Sequence, residues 1–377
     1  TEKLLKKIHD ELPAKLKEAG IRFHVPEKIA VRQLKKLRKR IHARIKADGI
    51  ELVSGKGKRK TRLQRLSEWV DQCLAKLKQY TNDIHICGNR NSYSKTDHDA
   101  TFMHMKEDYM RNGQLKPGYN VNVATCSDFI IGSYISSDRN DVHTLIPFME
   151  QLQKNYAGRN IGSVVVDSGY ESEENYCWFE AHPETELYVK PSNHEAAKHK
   201  KYRTDISRRE NMAYDAQTDT YTCANGKLLQ KTQEKKTHTA SGLEITTSVY
   251  ECSECDGCPL KEKCIRACGS KKPLEERYKV IYVSKRFARQ RQAMEAKISS
   301  PKGCLLRVNR SIQAEGNFAY VKQDLDFRRF LLRGNMKVAA EWLLFSLALN
   351  ILHLHHKIQN RRLGSDLKIP SSFPAGL

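Results

Sequence analysis

The first 80 residues alternate apolar and basic positions with a helical period. Leu34, Leu37 and Ile41 recur at intervals of three and four residues, the spacing that places side chains on one face of an α-helix. A basic, glycine-containing segment from Ser54 to Arg62, SGKGKRKTR, separates this run from a second amphipathic one. The pattern predicts a basic helical region over residues 1–90.

The pattern then changes to that of a mixed α/β domain. Two β-rich halves separated by Ser127-Asp128 predict a hairpin over residues 118–137. The apolar run Val164–Val166 lies between two glycines and is typical of a central strand buried on both faces. A helix predicted between hairpin and strand can be capped by Asn140 or Asp141. Hairpin, helix, buried strand, helix and strand together indicate an α/β fold over residues 91–190.

The rest of the chain divides into a polar segment and a helical one. Residues 191–280 are irregular, with short β-like stretches and six of the eleven cysteines, which predicts a Cys-rich β insertion. Residues 281–377 hold the C-terminal helices, with helical periodicity at Ser284–Lys297, Ser311–Lys322 and Lys337–Lys357. The longest apolar run, from Trp342 to Leu352, is interrupted by polar residues and is shorter than the roughly 18–20 residues of a membrane span. The sequence therefore predicts no membrane partner.

Charge changes this picture by indicating a polyanionic partner. Lys and Arg number 66 against 44 Asp and Glu, a net charge of +22, and residues 1–65 hold 21 basic and 7 acidic residues. Such a block favours phosphate contact, because neutralised phosphates release condensed counterions; a solvated helix surface is the alternative. The odd, locally clustered cysteines predict a reduced, cytoplasmic protein. The predicted DNA contacts in this block are Lys35, Lys36, Arg38, Lys39 and Arg40.

Two constellations of side chains could carry chemistry. Asp167 follows the apolar run, at the edge of a sheet where ligands collect, although an Asp in this position can also cap a turn. On a helix, Glu315 and Lys322 would share one face, with Phe318 between them, followed by an Arg cluster with interleaved phenylalanines. A carboxylate for a metal beside basic groups for phosphates suits phosphodiester chemistry. An ordinary exposed acid and base is the alternative.

The cysteines of the insertion form a third constellation. Cys252, Cys255, Cys258 and Cys264 have the pattern C-x2-C-x2-C-x5-C, with Cys223 upstream and Cys268 downstream. Four thiolates can hold structural Zn²⁺ or an iron–sulfur cluster. The alternative is a set of reduced thiols without metal, since the second, well-separated pair of a standard zinc ribbon is missing.

Three stretches carry a resemblance to a known family. SKTDHDATFMHMKEDYMRNGQLKPGYNV (94–121), VVVDSGYESEENY (164–176) and RSIQAEGNFAYVKQDLDFRRFLLRG (310–334) resemble DDE transposases of bacterial insertion sequences, in the branch with a Cys-containing insertion before the last catalytic carboxylate. The resemblance implies an RNase H-like mixed sheet flanked by helices. It also implies three carboxylates that hold two divalent ions for DNA cleavage and strand transfer.

The resemblance assigns roles to individual residues. Asp167 matches the family's second Asp and Glu315 its Glu, which makes these two the predicted catalytic residues and Mg²⁺ (or Mn²⁺) ligands. Lys322 matches the Lys seven positions after the Glu, which contacts DNA. Arg310 corresponds to the Arg before the Glu, but lies five residues before it, where many relatives have four. Further DNA contacts are predicted at Arg328, Arg329 and Arg333.

The family's first Asp has no match in this sequence. No Asp-Gly-Thr or Asp-Ser-Thr motif occurs before Gly118. Asp97 and Asp99 are the nearest substitutes, and we interpret them as Asx-turn residues. The expectation is that the first Asp lies upstream of Thr1 and that this chain is an inactive fragment.

The predicted function is that of a transposase that cleaves and joins DNA by two-metal phosphoryl transfer. Its partners would be double-stranded DNA (transposon ends and target) and a second copy of the chain, in the cytoplasm of a bacterium near the nucleoid. Two alternatives remain open: a DNA-binding transposase remnant without catalysis, and a simple RNase H-like nuclease. Cleavage with Mg²⁺ distinguishes the first, and joining of a 3′-hydroxyl to target DNA distinguishes the second.

Overall fold

The computed structural model describes residues 2–27, 29–55, 57, 59–105, 111–266, 272–364 and 367. The chain divides into two units, residues 1–117 and 118–377. Part of the first family-like stretch (106–110) and Cys268 of the cysteine constellation lie outside the described residues. The two units are described separately.

Three amphipathic helices form the first unit, as the sequence predicts for this region. They are α1 (Glu2–Glu18), α2 (Val31–Ala47) and α3 (Arg62–Cys87). Leu34, Leu37 and Ile41 of α2 are buried in one core with the apolar faces of α1 and α3, which leaves the basic positions of α2 in solvent. Two short strands, β1 (Thr101–Met103) and β2 (Lys116–Gly118), pair near the end of this unit.

The second unit begins with the predicted hairpin. Strands β3 (Asn120–Cys126) and β4 (Phe129–Ser136) pair antiparallel. Ser127 and Asp128 connect them with φ of 53° and 72°, the left-handed conformation of a two-residue hairpin turn. The hairpin prediction is confirmed, and so is the position of its turn.

A parallel strand pair follows, with helices beside it. Strand β5 (Ser163–Val166) pairs with β6 (Glu186–Val189). Helices α4 (Leu145–Asn155) and α5 (Glu173–Ala181) share a core with this pair and with Ala124 and Tyr134 of the hairpin. The expectation that Val164–Val166 is buried on both faces is wrong, because all three valines are only partly buried. Among the described residues β5 pairs with β6 alone, so one edge of the strand stays open.

The Cys-rich segment forms a sheet of its own. Its five strands pair antiparallel in the order β11-β10-β9-β8-β7. The elements are α6 (Lys200–Arg203), β7 (Ala213–Asp215), β8 (Thr220–Thr222), β9 (Leu228–His238), β10 (Glu244–Glu251), α7 (Lys261–Cys264) and β11 (Val280–Val283). The chain is thus mixed α/β, as predicted, with a β insertion.

The chain ends in helices that cover the strands of the α/β core. A long helix turns from α-helical to π-helical twice, at Ser311–Glu315 and at Tyr320–Asp324. Helix α11 packs on β4, where Asn350 exchanges two 2.8 Å hydrogen bonds with the backbone of Ile130. The α-helices are α8 (Lys285–Ser299), α9 (Pro301–Arg310), α10 (Gly316–Ala319) and α11 (Asn335–Gln359).

Helix α11 corrects the sequence-based argument about membranes. The expectation that no segment is long and apolar enough to cross a membrane is wrong for α11 by length and composition. An 18-residue window of this helix has a mean hydropathy of 1.4 and is 28% buried. A core helix of a soluble protein passes the same test, and α11 buries Val338, Trp342 and Leu349.

Candidate active site

Asp167 lies where the sequence predicts it, directly after β5. Its Oδ1 accepts hydrogen bonds from the Ser168 backbone N–H (2.7 Å) and from the Ser168 hydroxyl (3.4 Å). The residue caps a 3₁₀ turn over Ser168–Tyr170. Asp167 therefore has the position that both interpretations predict: it directly follows a strand, and its carboxylate caps the next turn.

A buried polar network holds this turn against the hairpin. The Asn122 side chain, which is 1% exposed, accepts at Oδ1 from the Tyr170 hydroxyl (2.5 Å) and from the Thr144 hydroxyl (2.8 Å). Burial, together with the charges of Asp141 and Asp167, raises the pKa of Tyr170 above its usual range. The phenol therefore stays protonated and serves as a donor, which ties the Asp167 turn to β3.

Asp141 is a second carboxylate at this turn, and sequence reasoning missed it. An ideal Cβ on Gly169 would lie 2.8 Å from Asp141 Oδ2, so the carboxylate sits against the Gly169 backbone. Asp141 Oδ1 accepts from Asn120 Nδ2 at 2.7 Å. The prediction that Asn140 or Asp141 caps the helix is wrong, because α4 begins at Leu145 without a side-chain cap. Only the contact with Gly169 reveals the position of Asp141, and no local motif encodes that contact.

Glu315 pairs with Arg310 across a π-helical turn. Arg310 Nη2 lies 2.8 Å from Glu315 Oε1, and the Ser311 hydroxyl donates to Oε2 at 3.1 Å. A π-helix brings residues five apart into register, which matches the unusual spacing of five between Arg310 and Glu315. The Glu315 side chain is 63% exposed, so it faces solvent rather than the core.

Arg310 connects the two predicted catalytic regions. Its positive charge lowers the pKa of Tyr170, although burial and the nearby carboxylates outweigh it. Arg310 therefore lies within electrostatic reach of the Asp167 turn while it contacts Glu315. The helix that carries it packs with α9 on β5 and with its first π turn on β3. One helix thus contacts both strand pairs.

The predicted DNA contacts after Glu315 occupy two different settings. Lys322 lies in the second π segment, with its ammonium 5.8 Å from the Phe318 ring centroid. The helical pattern predicted for Ser311–Lys322 agrees with the structure, in which the helix ends at Asp324 and residues 325–334 are irregular. Arg328, Arg329 and Arg333 therefore lie on a loop, all three exposed.

This arginine-bearing loop (325–334) is anchored at several points. Phe327 and Phe330 pack on the core formed by Ile130 and Trp342. The Glu341 carboxylate, 8% exposed, accepts from the backbone N–H of Leu331 and Leu332 at 2.9–3.2 Å. Aromatic side chains point inward and arginines outward, so the loop presents positive charge from a fixed backbone.

The basic block of the first unit surrounds a shallow pocket of about 400 Å³. Arg38 is paired with Asp71 at 2.7 Å, and the Arg40 guanidinium lies 5.7 Å from the Phe23 ring centroid. Lys36 is exposed. Two further residues at the pocket, His42 and Lys78, are not among the predicted DNA contacts, because His42 lies further along α2 and Lys78 lies on α3. The lining residues are Lys35, Arg38, Lys39, His42 and Lys78.

The described cysteines of the insertion are neighbours, but they are not arranged as a set of metal ligands. Burial raises the pKa of Cys252 to about 11. Burial and the proximity of Cys223, Cys255 and Cys258 raise the pKa of Cys264. Within the described part of the chain, no group of three or more His, Cys, Asp or Glu side chains could hold a metal ion. The Zn²⁺ site at Cys252, Cys255, Cys258 and Cys264 stays a prediction.

Asp97 and Asp99 form the predicted Asx-turn. The Asp99 backbone N–H donates to Asp97 Oδ1 at 3.3 Å, and the Ala100 N–H donates to the Asp97 carbonyl at 3.1 Å. This arrangement uses the Asp97 side chain to shape the loop before β1.

Comparison with known proteins adds one match. The family model of the transposase DDE domain matches residues 222–355, a stretch that includes Glu315, Lys322 and the arginine-bearing loop but not Asp167. No curated protein and no solved structure matches the chain. The match supports the resemblance to DDE transposases that the sequence shows, over residues 222–355.

Proposed function

We propose that the chain cleaves DNA and transfers its strands with Asp167 and Glu315 as catalytic carboxylates, in an RNase H-like arrangement, and that Asp141 serves in place of the upstream Asp expected from the resemblance. One observation carries this proposal: Arg310 contacts Glu315 at 2.8 Å and also acts on Tyr170, three residues after Asp167. The two carboxylates come from regions almost 150 residues apart in sequence, and Arg310, the partner of Glu315, lies close enough to the turn after Asp167 to lower the pKa of Tyr170.

The donor chemistry suits divalent cations of the Mg²⁺ type. Mg²⁺ and Mn²⁺ prefer oxygen ligands, and such sites are commonly built from one or two carboxylates plus substrate phosphates. Asp167 and Glu315 supply the carboxylates, and Asp141 adds a third beside the Asp167 turn. Since no three of these groups are assembled among the described residues, we infer that DNA phosphates complete the site. Bound ions would activate the attacking hydroxyl and stabilise the leaving oxygen.

The chain's own groups would position the substrate. Arg310 holds the Glu315 carboxylate in one orientation and releases it when a phosphate or cation competes for either partner. The Asn122–Tyr170 hydrogen bond fixes the turn that carries Asp167. The arginine-bearing loop and Lys322 lie on the same helical segment as Glu315 or just beyond it, so they would hold the phosphates that flank the reacting one.

A cleavage assay on transposon-end DNA tests the proposal. With Mg²⁺ or Mn²⁺ we expect Asp167→Asn and Glu315→Gln each to lower the cleavage rate by at least about a thousandfold, since each removes a predicted ion ligand. Asp97→Asn is the matched control and should retain the parent rate. If Asp97→Asn abolishes activity while Asp167→Asn does not, the carboxylate assignment is wrong. DNA binding without cleavage under any condition would favour the non-catalytic remnant, and cleavage without joining would favour a simple nuclease.

DNA contact by the basic pocket of the first unit is a separate part of the proposal. Arg38 is already paired with Asp71, so we expect Lys35, Lys39 and Lys78 to supply more of the binding. Replacing these three lysines by Gln should flatten the slope of log K against log salt by about 0.9 per lost phosphate contact. Arg38→Gln alone should change that slope less than Lys39→Gln. An unchanged slope in the triple variant would mean that the pocket is a solvated surface.

Structural Zn²⁺ in the insertion would stabilise the fold and would take no part in the cleavage chemistry. Burial and the neighbouring cysteines raise the pKa of Cys252 and of Cys264, which favours the protonated thiols; a bound cation would favour the thiolates instead. Elemental analysis of purified protein should find about one zinc per chain. Loss of that metal in Cys255→Ser but not in Cys304→Ser would support the site; metal-free parent protein would exclude it.

A further inference from the structure

Helix α11 carries an apolar stripe on the face opposite to β4. Its inward face is fixed by Trp342, Leu349 and the Asn350–Ile130 hydrogen bonds. Its outward face is exposed and apolar along the full length of the helix. The exposed side chains of this stripe are Met336 (85%), Leu343 (58%), Leu344 (69%), Leu347 (59%), Ile351 (61%), Leu354 (44%) and Ile358 (52%).

The spacing of the stripe follows an eleven-residue repeat. Six steps of four, three, four, four, three and four residues lead from Met336 to Ile358, about 3.67 residues per turn, close to the 3.6 of an undistorted helix. The stripe therefore runs nearly straight for roughly 33 Å. The repeat positions in order are Met336, Ala340, Leu343, Leu347, Ile351, Leu354 and Ile358, and Leu344 lies beside them.

The repeat positions are symmetric about Leu347, because the steps toward Met336 and toward Ile358 have the same lengths in the same order. If two copies of α11 pack antiparallel about a twofold axis at Leu347, Met336 of one copy faces Ile358 of the other. Leu343 then faces Ile351. A twofold interface must be complementary to itself, and this stripe meets that requirement along its whole length.

Charge and area also favour a second copy of the chain as the occupant. Residues 342–356 contain no Asp, Glu, Lys or Arg, so helix pairing would bury no unpaired charge at the centre. Seven large apolar side chains, each 44–85% exposed, lie on this face of the helix, and contiguous exposed apolar patches of this kind mark interaction sites. Stable interfaces bury about 800 Å² per partner, which a 25-residue helix and its neighbouring loop can supply.

We propose that α11 is a homodimer interface in which two copies pack antiparallel, with the twofold axis at Leu347. The proposal rests on α11 alone, so its test does not depend on DNA cleavage. Failure of the catalytic proposal would leave it intact, and the reverse also holds.

Light scattering after size exclusion is the first test. The parent chain should have the mass of two chains, and Leu343→Glu/Leu347→Glu should have the mass of one, with unchanged circular dichroism. Leu228→Glu/Tyr282→Glu is the matched control, because it places the same charges on exposed apolar positions of the insertion, and it should stay dimeric. A monomeric parent chain would overturn the proposal, particularly if it binds phosphatidylcholine vesicles through α11.

Crosslinking tests the register, in a Cys126→Ser background that removes an exposed thiol. A short bismaleimide should join two chains that carry Leu347→Cys. Met336→Cys/Ile358→Cys should crosslink, whereas Met336→Cys alone should not, because antiparallel packing separates the two copies of residue 336 by most of the helix length. Crosslinking by Met336→Cys alone would contradict the antiparallel arrangement, and its absence for Leu347→Cys would contradict the axis.

Discussion

The insertion and the α/β core both contain β-strands, but among the described residues only the insertion joins its strands into one sheet. Strands β7 to β11 pair in sequence order, so each strand pairs with its neighbour in the chain, although a longer segment that includes α7 connects β10 to β11. In the core, β3 pairs with β4 and β5 pairs with β6, and no ladder joins the two pairs among the described residues. Two-stranded pairs are marginal alone in water. The core therefore depends on helices from distant parts of the chain.

Those helices come from the end of the sequence. Helix α11 covers β4, and the helix formed by α9 and its π turn crosses β5 and β3. The buried Asn122–Tyr170–Thr144 network adds a polar connection between the two strand pairs. We therefore expect the insertion to stay ordered when the core is destabilised. Destabilisation of the insertion should likewise leave the core ordered.

The largest expected effect tests the dependence of the hairpin on α11. Trp342 is 4% exposed and packs with Ile130, and its ring lies 5.7 Å from that of Phe318. Trp342→Ala should cost about 3–5 kcal/mol. Hydrogen exchange should then speed up in β3 and β4 but not in β9 and β10.

Trp342→Phe is the control for that experiment. It keeps most of the apolar contact and removes an indole Nε1 that has no hydrogen-bond partner among the described residues, so it should cost much less than the Ala variant. Equal loss of protection in the hairpin and in the insertion after Trp342→Ala would break the comparison.

The junction between α8 and α9 should show the next effect. A Cβ on Gly303 would lie 2.3 Å from the Lys297 carbonyl oxygen and 2.8 Å from Ile298 Cα. Because these are backbone atoms, Gly303→Ala must shift α9 and should cost about 2–4 kcal/mol in denaturant unfolding. Gly162→Ala, whose Cβ would enter open space, should be nearly neutral. A neutral Gly303→Ala would mean that α9 is not held against α8 as described.

A matched pair of hydroxyl deletions separates the two regions at smaller cost. Tyr170→Phe removes the 2.5 Å hydrogen bond to Asn122 in the core, and Tyr250→Phe removes the 2.7 Å bond to Asp219 in the insertion. Each should cost about 1–2 kcal/mol. We expect Tyr170→Phe to speed exchange in β3 and β5, and Tyr250→Phe to act only within β8–β10. Exchange changes that cross between the two regions would argue for one cooperative unit.

The smallest effect concerns pH and the attachment of the insertion to α8. Although burial opposes it, hydrogen bonds from Lys285, Tyr250 and Tyr214 lower the pKa of Asp219 to about 2. The carboxylate therefore stabilises the fold above its ordinary pKa of 3.8, and this contribution disappears as the pH falls from about 4 to 2.

Asp219→Asn measures that contribution. The variant should lose on the order of 1 kcal/mol at pH 6 after solvent screening, and its melting temperature should approach that of the parent below about pH 3. Asn tolerates the φ of 52° at this position. A difference between parent and variant that stays constant from pH 6 to pH 2 would contradict the lowered pKa.

Local patterns were enough to predict the elements that depend on neighbouring residues. The hairpin and its Ser127-Asp128 turn follow from two β-rich runs around a turn dipeptide. The helix α2 follows from its 3.6-residue apolar period, and the Asp97 turn follows from an Asp side chain that reaches two residues forward. In each case the partners lie close in sequence, so the pattern contains the contact.

The failures concern contacts over long distances. The valines of β5 have the composition of a central strand, but burial depends on whether another strand pairs with the open edge. The backbone path of the loop with Arg328, Arg329 and Arg333 does not follow from its own composition. Glu341, ten residues after Leu331, instead fixes its backbone in an irregular path. The sequence predicts Asn140 or Asp141 as a helix cap, since the contact between Asp141 and Gly169 cannot be recognised from the local sequence.

The π turn before Glu315 has a consequence for how such proteins are recognised. An added residue in an α-helix rotates everything after it by about 100°, which would move Glu315 to another face. A π turn absorbs one residue as a local widening, so Arg310 and Glu315 keep their 2.8 Å contact at a spacing of five. A sequence search that requires the Arg to lie four positions before the Glu would reject this chain, in which it lies five positions before. A search that accepts either spacing, with the widened turn as its structural counterpart, would retain it.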